Sequence, residues 1–327
     1  MKEFLKLIRW QNLIIVVLTM LLMRYAVIAP LTAKMKVTLI NGTGEYTAME
    51  LQFPFYCFLL LIAATVFITA GGYVINDYFD IKTDLINRGR VIVGTRIPRR
   101  QAMMWHNIFN LAGVAAGFFI SWKSGYFWMG LLFLVVSGLL YFYSASYKRQ
   151  FLIGNIIVAL LTAMVPMLVV IYEWPALYRY YKPVVEVMPD LGILFYWTGG
   201  FALFAFLTTL AREIIKDIED FEGDKAYGRN TVPVVIGIKA SRITSVVLVI
   251  ITIILLYMVW RLFVGDKITL IYLSLAIVLP LLVVIRQVIS SREKKLLHNA
   301  SSLIKIVMLT GILYSLVLMA IIRWDLA

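Results

Sequence analysis

Half of the 18 acidic residues in this 327-residue chain fall in two short stretches. The first is Asn76-Asp77-Tyr78-Phe79-Asp80-Ile81-Lys82-Thr83-Asp84; the second runs from Arg212 to Asp224 and contains Glu213, Asp217, Glu219, Asp220 and Glu222. Asn76, Asp80 and Asp84 stand at i, i+4 and i+8, with Asp77 beside them, and Asp217, Asp220 and Asp224 stand at i, i+3 and i+7. On continuous helices each set lines one face. Like charges at those offsets repel, so something positive has to neutralise them. Hard oxygen donors in this number suit Mg²⁺, which keeps several waters and shares its shell with substrate phosphates. The pattern points to two carboxylate walls with a metal–diphosphate between them. Neither stretch has the ligand order or the terminal Glu spacing of an EF-hand calcium loop. An acidic cluster beside an apolar run is often only a solvated helix end, so the position of the two stretches decides the matter.

Those positions follow from the composition. Hydrophobic residues make up 62% of the chain and charged residues 15%, against roughly 45–50% and 25% in soluble domains. With a mean hydropathy of +0.88, this excludes a soluble enzyme, a nucleic-acid binder or a disordered chain. The net charge of +13 then reads as basic loops at a membrane surface. A single cysteine, Cys57, excludes a disulfide framework. Nine apolar runs predict spans at about 11–31, 55–76, 103–121, 126–146, 152–172, 191–211, 241–261, 268–288 and 303–322. They are continuous rather than alternating, which predicts helices and not a β-barrel. The expected fold is an all-α integral membrane protein, one transmembrane domain over residues 1–327.

The two acidic stretches follow directly on spans 2 and 6, so both emerge on the same face. Most of the 31 Lys and Arg lie at the N-terminus and in the even-numbered connections. The positive-inside rule then places the N-terminus in the cytoplasm, the C-terminus outside and both acidic stretches at the cytoplasmic side of an inner, cytoplasmic membrane. The connections at 32–54, with Asn41-Gly42-Thr43-Gly44, and at 173–190, with Pro175, Pro183 and Pro189, read as turn-rich. The acidic pair recurs at similar places in two blocks of spans, which hints at an internal duplication.

At these residues the chain resembles the UbiA family of intramembrane prenyltransferases. Asn76, Asp77, Asp80 and Asp84 match the family's N-D-x-x-D-x-x-x-D motif. Asp217, Asp220 and Asp224, followed by Gly228, Thr231, Pro233 and Gly237, resemble its second motif. Tyr143-Ser144, Lys148 and Gly154-Asn155 form a third match, and Arg9 with Asn12 a fourth. One departure is Arg90-Val91-Ile92-Val93-Gly94, which lacks the family's proline after the arginine. The resemblance implies nine transmembrane helices around a central cavity, open here to the cytoplasmic side. It also implies transfer of a prenyl chain from a polyprenyl diphosphate to a lipophilic acceptor. Its implied metal set is Asn76, Asp77, Asp80, Asp84, Asp217, Asp220 and Asp224, holding Mg²⁺.

Such chemistry releases pyrophosphate, whose charge Mg²⁺ and basic side chains stabilise. Lys148 is the first candidate, then Arg90, Arg212, Lys216 and Arg9, with Arg96 and Arg229 behind them. Asn12, Tyr143, Ser144 and Asn155 complete the expected substrate contacts. Phe79, Tyr141, Tyr143, Tyr147 and Phe221 are near enough in sequence to face a carbocation, although interface anchoring is the commoner role. His106 and His298 read as solvated residues at helix ends; Asp77 is an equal candidate for a base. The segments 76–87, 143–155 and 212–237 look most like the branch that prenylates geranylgeranylglyceryl phosphate. A quinone-precursor ring, such as dihydroxynaphthoate or hydroxybenzoate, is the alternative acceptor. A cation-coupled transporter is a distant one, because it predicts acids near the bilayer midplane rather than at helix ends. Lipid is the expected surrounding; neither nucleic acid nor an obligatory protein partner is expected.

Overall fold

Apolar runs of this length leave the backbone one economical way through a bilayer, a helix that bonds its own peptide groups. The computed structural model describes residues 1–40, 46–88, 91–290 and 293–324. Among them, nine helices are long and apolar enough to cross a membrane: α1 Trp10–Lys34, α2 Phe55–Phe79, α3 Arg99–Lys123, α4 Phe127–Ala145, α5 Ile153–Tyr181, α6 Gly192–Glu219, α7 Val232–Val264, α8 Lys267–Ser290 and α9 Lys294–Trp324. Each coincides with an expected span.

The helices overrun the hydropathy boundaries. α5 continues to Tyr181 with Pro166 and Pro175 inside it, so Pro175 belongs to a helix and not to a turn-rich connector. Membrane helices tolerate proline because neighbouring groups re-satisfy the freed carbonyl. α6 runs on to Glu219, α7 begins at Val232 and α9 at Lys294; these polar ends stay helical where no lipid is needed. The first outer connection holds a small hairpin, β1 Lys36–Thr38 antiparallel to β2 Tyr46–Ala48. A bridge from Leu39 to Val185 ties it to the connection after α5. The Asn41–Gly44 turn lies outside the described residues.

Two large apolar clusters hold the bundle. One joins α1, α2, α5 and α6 around Phe58, Leu61, Val170 and Leu194. The other joins α6, α8 and α9 around Ile214, Leu281 and Ile304. Without a water-driven force between helices, close packing has to do the work. At Gly117 of α3 an added Cβ would lie 2.3 Å from the Phe133 ring of α4, so only glycine permits that approach. A smaller cluster of Leu7, Val74, Val93, Ile97 and Ala102 fastens the N-terminal segment beside the first acidic stretch.

One buried ion pair lies at the end remote from the acidic stretches. Arg24 of α1 and Glu173 of α5 stand 3.5 Å apart. Arg24 donates to the Phe53 carbonyl, and Glu173 accepts the backbone N–H groups of Gln52 and Phe53 at 2.7 and 2.9 Å. Charges inside a membrane protein are costly unless paired, and this pair clips the segment before α2 onto α1 and α5. Hydropathy averaging hid Arg24 within the first apolar run, and Glu173 stood at the head of the expected 173–190 connection.

Candidate active site

The acidic stretches are not continuous helices. α2 ends at Phe79, Asp80 takes φ −90°, ψ 0°, and a short helix follows over Ile81–Arg88. α6 ends at Glu219, Asp220 takes φ −90°, ψ 6°, and a short helix follows over Phe221–Ala226. Both aspartates occupy the sparsely populated bridge region. The amide of Asp80 donates to Asn76 (3.0 Å) and that of Asp84 to Asp80 (2.8 Å); likewise Asp220 donates to Lys216 (2.9 Å) and Asp224 to Asp220 (3.1 Å). Position for position, Asp77, Asp80 and Asp84 correspond to Asp217, Asp220 and Asp224. This shared break corrects the expectation of an unbroken face and agrees with the hint of a duplication. The two short helices pack against each other, which turns the acidic walls toward a common space.

That space is a cavity of about 830 Å³. Asn76, Asp80 and Asp84 line it from one side, and Asp217, Asp220 and Asp224 from the other. Arg9, Asn12, Tyr143, Lys148, Asn155, Arg212 and Lys216 line it as well. Deeper in, the walls are apolar: Ile68 of α2, Val136 of α4 and Leu161, Val165 and Leu168 of α5.

Two cations stand between the walls. Lys148 Nζ is 2.7 Å from Asp80 Oδ1 and donates to Asn76 Oδ1 at 3.1 Å. Arg229 Nη2 donates to Asp80 Oδ1 at 2.8 Å and to Thr83 Oγ1 at 2.6 Å, while its Nη1 reaches Asp224 Oδ1 at 3.5 Å. One guanidinium thus touches both acidic stretches. Burial alone would raise the Asp80 carboxyl, but Lys148 and Arg229 hold it below the usual carboxylate range. Burial pulls Lys148 down to about 8 even with Asp80 beside it. Burial also pushes Asp224 up to about 6, against the pull of Arg229.

Local chain geometry places these groups. Gly154 opens α5 so close to the Lys148 turn that a Cβ there would sit 2.6 Å from Lys148 Cα. Arg9 and Leu152 are the only non-glycine residues with positive φ among the described residues, at 49° and 62°. Both flank the cavity's lining residues, which is where such strain concentrates. Arg9 bonds Asp77 at 2.9 Å and lies 4.8 Å over the Tyr73 ring; Asn12 donates to the Tyr73 hydroxyl at 3.1 Å. Asn155 donates to Asp217 Oδ2 at 2.8 Å. After the second stretch, Gly228 reverses the chain at φ 62°. The chain then enters α7 from Thr231, with Pro233 in its first turn.

Not every expected residue reaches the cavity wall. Asp77 faces Arg9 instead. Ser144 is buried and donates to the Leu140 carbonyl at 2.9 Å. Arg90 lies outside the described residues. Of the five aromatic candidates only Tyr143 lines the cavity. His106 is not a solvated helix end: it is buried, with Nδ1 3.0 Å from the Gly71 carbonyl. His298 is at the cavity, 3.0 Å from Glu219. Sequence reasoning ranked Arg229 too low and passed over Thr83, Tyr73 and Glu213. The signal for Arg229 was its place five residues after Asp224, across a Tyr-Gly turn. Glu213 was visible in the second stretch, and it binds Arg212 at 2.6 Å and Lys216 at 3.0 Å.

The donor set fits magnesium. Carboxylate and amide oxygens face one another across a single cavity, with no sulfur or imidazole among the six acidic-motif residues that line it. Among the described residues no group of three or more His, Cys, Asp or Glu forms a ready-made ion site. An ion here would take one or two carboxylates and complete its shell with water and phosphate oxygens, as Mg²⁺ prefers.

Residues 43–319 match the family model described as the UbiA prenyltransferase family. Digeranylgeranylglyceryl phosphate synthase of Thermococcus kodakarensis is 31% identical over 253 residues, 76% of this chain and 80% of that protein. The enzyme of the same name from Methanosphaera stadtmanae is 31% identical over 255 residues, 77% of this chain and 84% of that protein. A solved structure of a digeranylgeranylglyceryl phosphate synthase shares the fold with a TM-score of 0.62 at 23% identity, covering 96% of this chain and 98% of that one. A UbiA homologue from Aeropyrum pernix shares it with a TM-score of 0.60 at 16% identity, covering 90% and 97%. Another, from Archaeoglobus fulgidus and bound to GPP and Mg²⁺, has a TM-score of 0.52 at 18% identity, covering 96% and 99%.

Proposed function

Because the chain belongs to the UbiA prenyltransferase family, we propose that it transfers a prenyl group from a polyprenyl diphosphate to geranylgeranylglyceryl phosphate, at the cytoplasmic face of the membrane and with Mg²⁺. The observation that carries the reading is Arg229, which holds Asp80 of one acidic stretch and Asp224 of the other at the rim of one cavity. The acceptor follows the curated relatives, which bear the name of its product. The cytoplasmic assignment, with the N-terminus inside and the C-terminus outside, rests on the basic residues around the acidic stretches.

Asn76, Asp80 and Asp84 on one wall and Asp217, Asp220 and Asp224 on the other would hold the ions. Bound Mg²⁺ supplies Lewis-acid charge to the departing pyrophosphate. Lys148 and Arg229 add fixed positive charge where negative charge develops. The bond from the prenyl C1 to the diphosphate oxygen breaks, and its electron pair leaves with pyrophosphate. A new C1–oxygen bond forms to the acceptor hydroxyl, whose proton passes to a pyrophosphate oxygen. Asn155 orients Asp217, and Asp77 holds Arg9 in place. The apolar end of the cavity receives the isoprenoid tail and keeps water from the cationic carbon.

The test is turnover by purified protein supplied with radiolabelled geranylgeranyl diphosphate, Mg²⁺ and a panel of acceptors. The expected result is a labelled ether of geranylgeranylglyceryl phosphate that disappears with EDTA and in Asp80→Ala and Asp220→Ala. Labelled product from an aromatic acid, with none from the phosphate-bearing acceptor, overturns the acceptor assignment. Unchanged turnover in both variants overturns the site.

A further inference from the structure

The cavity carries a second group of cations, apart from Lys148 and Arg229. Arg212 and Lys216 come from α6, Lys305 from α9 and Arg9 from the segment leading into α1. Lys305 is within electrostatic reach of all three and of Glu213. Asp77 answers Arg9, and among the described residues Glu213 is the carboxylate bridged to both Arg212 and Lys216. Among the described residues Lys305 makes no hydrogen bond or ion pair. The Arg212 Nε is buried and has no hydrogen-bond partner.

Lys305 stands two residues inside the apolar part of α9, eleven residues beyond its polar start at Lys294. Ser301 and Ser302, one turn before it, and Met308, one turn after, also line the cavity. Of these four cations three are bonded to Asp77 or Glu213, and the fourth, Lys305, stands open to the cavity; Asp217, also in the wall, is engaged by Asn155. A phosphate monoester carries about two negative charges near neutral pH and would match that open cation; a neutral acceptor would not.

We propose that Arg212, Lys216 and Lys305 form an anion subsite for the phosphate monoester of the acceptor, distinct from the diphosphate pole at Lys148 and Arg229. The inference rests on the acceptor class proposed above and extends it to particular residues. It gives the cavity two poles: one draws off the leaving group, and the other anchors the acceptor headgroup so that its hydroxyl meets the prenyl carbon. It also gives α9 a part in substrate binding.

The test compares wild type, Lys305→Gln and Lys305→Arg in nanodiscs of uncharged lipid. Each is assayed with geranylgeranyl diphosphate and Mg²⁺ against geranylgeranylglyceryl phosphate and against its dephosphorylated alcohol. For Lys305→Gln the expected result is an acceptor KM raised at least ~10-fold, the loss of one charge-assisted contact. The donor KM should be unchanged, the alcohol should be used as by wild type, and Lys305→Arg should restore most of the affinity. Unchanged donor KM also shows that the variants fold. Inorganic phosphate should compete with the acceptor only weakly; competition as strong as the acceptor's own binding would make this a free-phosphate site and overturn the headgroup assignment. A preference for phosphate that survives in Lys305→Gln, or a raised donor KM instead, overturns this inference alone. Wild-type protein that transfers nothing to the phosphate-bearing acceptor overturns the acceptor reading and this subsite with it.

Discussion

Asp80 accepts two cations at once, Lys148 from the turn before α5 and Arg229 from the turn before α7. Its own helix supplies neither, so the side chain senses three parts of the chain. Replacing Arg229 by methionine removes the contact common to both acidic stretches and a source of fixed positive charge at the leaving group. We expect pyrophosphate release to fall ~10²–10³-fold, the range for a lost electrostatic stabiliser. Steady-state kinetics checks this, and Arg229→Lys should recover only part, since lysine has no planar fork to span two carboxylates. The acidic residues themselves were legible from spacing, and the paired Asn155 and Lys148 from the resemblance. Arg229 was harder to find because its partners are 149 and five positions away. Only the fold brings them together, whereas a basic residue in a loop between membrane spans already has an ordinary explanation.

At the scale of elements, the site depends on where helices stop. α2 and α6 break at Asp80 and Asp220 in the same backbone conformation, and each short helix that follows carries the last aspartate of its set. A hydrophobic period cannot announce such a break, because both sides of it remain helical. The turn that delivers Lys148 depends on Gly154: a methyl there meets the Lys148 backbone at 2.6 Å and the Tyr147 carbonyl at 3.0 Å. Backbone cannot rotate aside as a side chain can. Gly154→Ala should therefore displace Lys148 and lower kcat by ~10²-fold, the effect of a misplacement of about 1 Å. Gly138→Ala, where no atom lies within 4 Å of the added carbon, should leave kcat near wild type. Parallel rate measurements on the two variants check both expectations.

At the scale of the molecule, the two ends of the bundle do different work. The end with the acidic stretches is polar and cavity-lined, whereas the opposite end is tied shut by Arg24 and Glu173 with the β1–β2 hairpin nearby. Arg24→Leu would leave Glu173 buried without its cation, which costs about 3–5 kcal/mol. Thermal unfolding in detergent should show a marked fall in Tm, and Arg24→Leu combined with Glu173→Leu should recover part of it. Hydropathy was enough for all nine spans because each has to cross about 30 Å of hydrocarbon. It gave no sign of the hairpin, whose strands are three residues each, and none of the role of α9, whose cavity face is set by tertiary packing.

On the proposed reading, two remote acidic stretches grip one diphosphate through shared ions. A double-mutant cycle on Asp84→Asn and Asp224→Asn, read as Mg²⁺-dependent binding of a non-reactive prenyl thiodiphosphate, measures whether they do. Each single variant should weaken binding at least ~10-fold, as loss of a charged contact does, and the double variant should lose far less than the product of the two. Strictly multiplicative losses, or unaltered binding in either single variant, would contradict a site shared by both stretches.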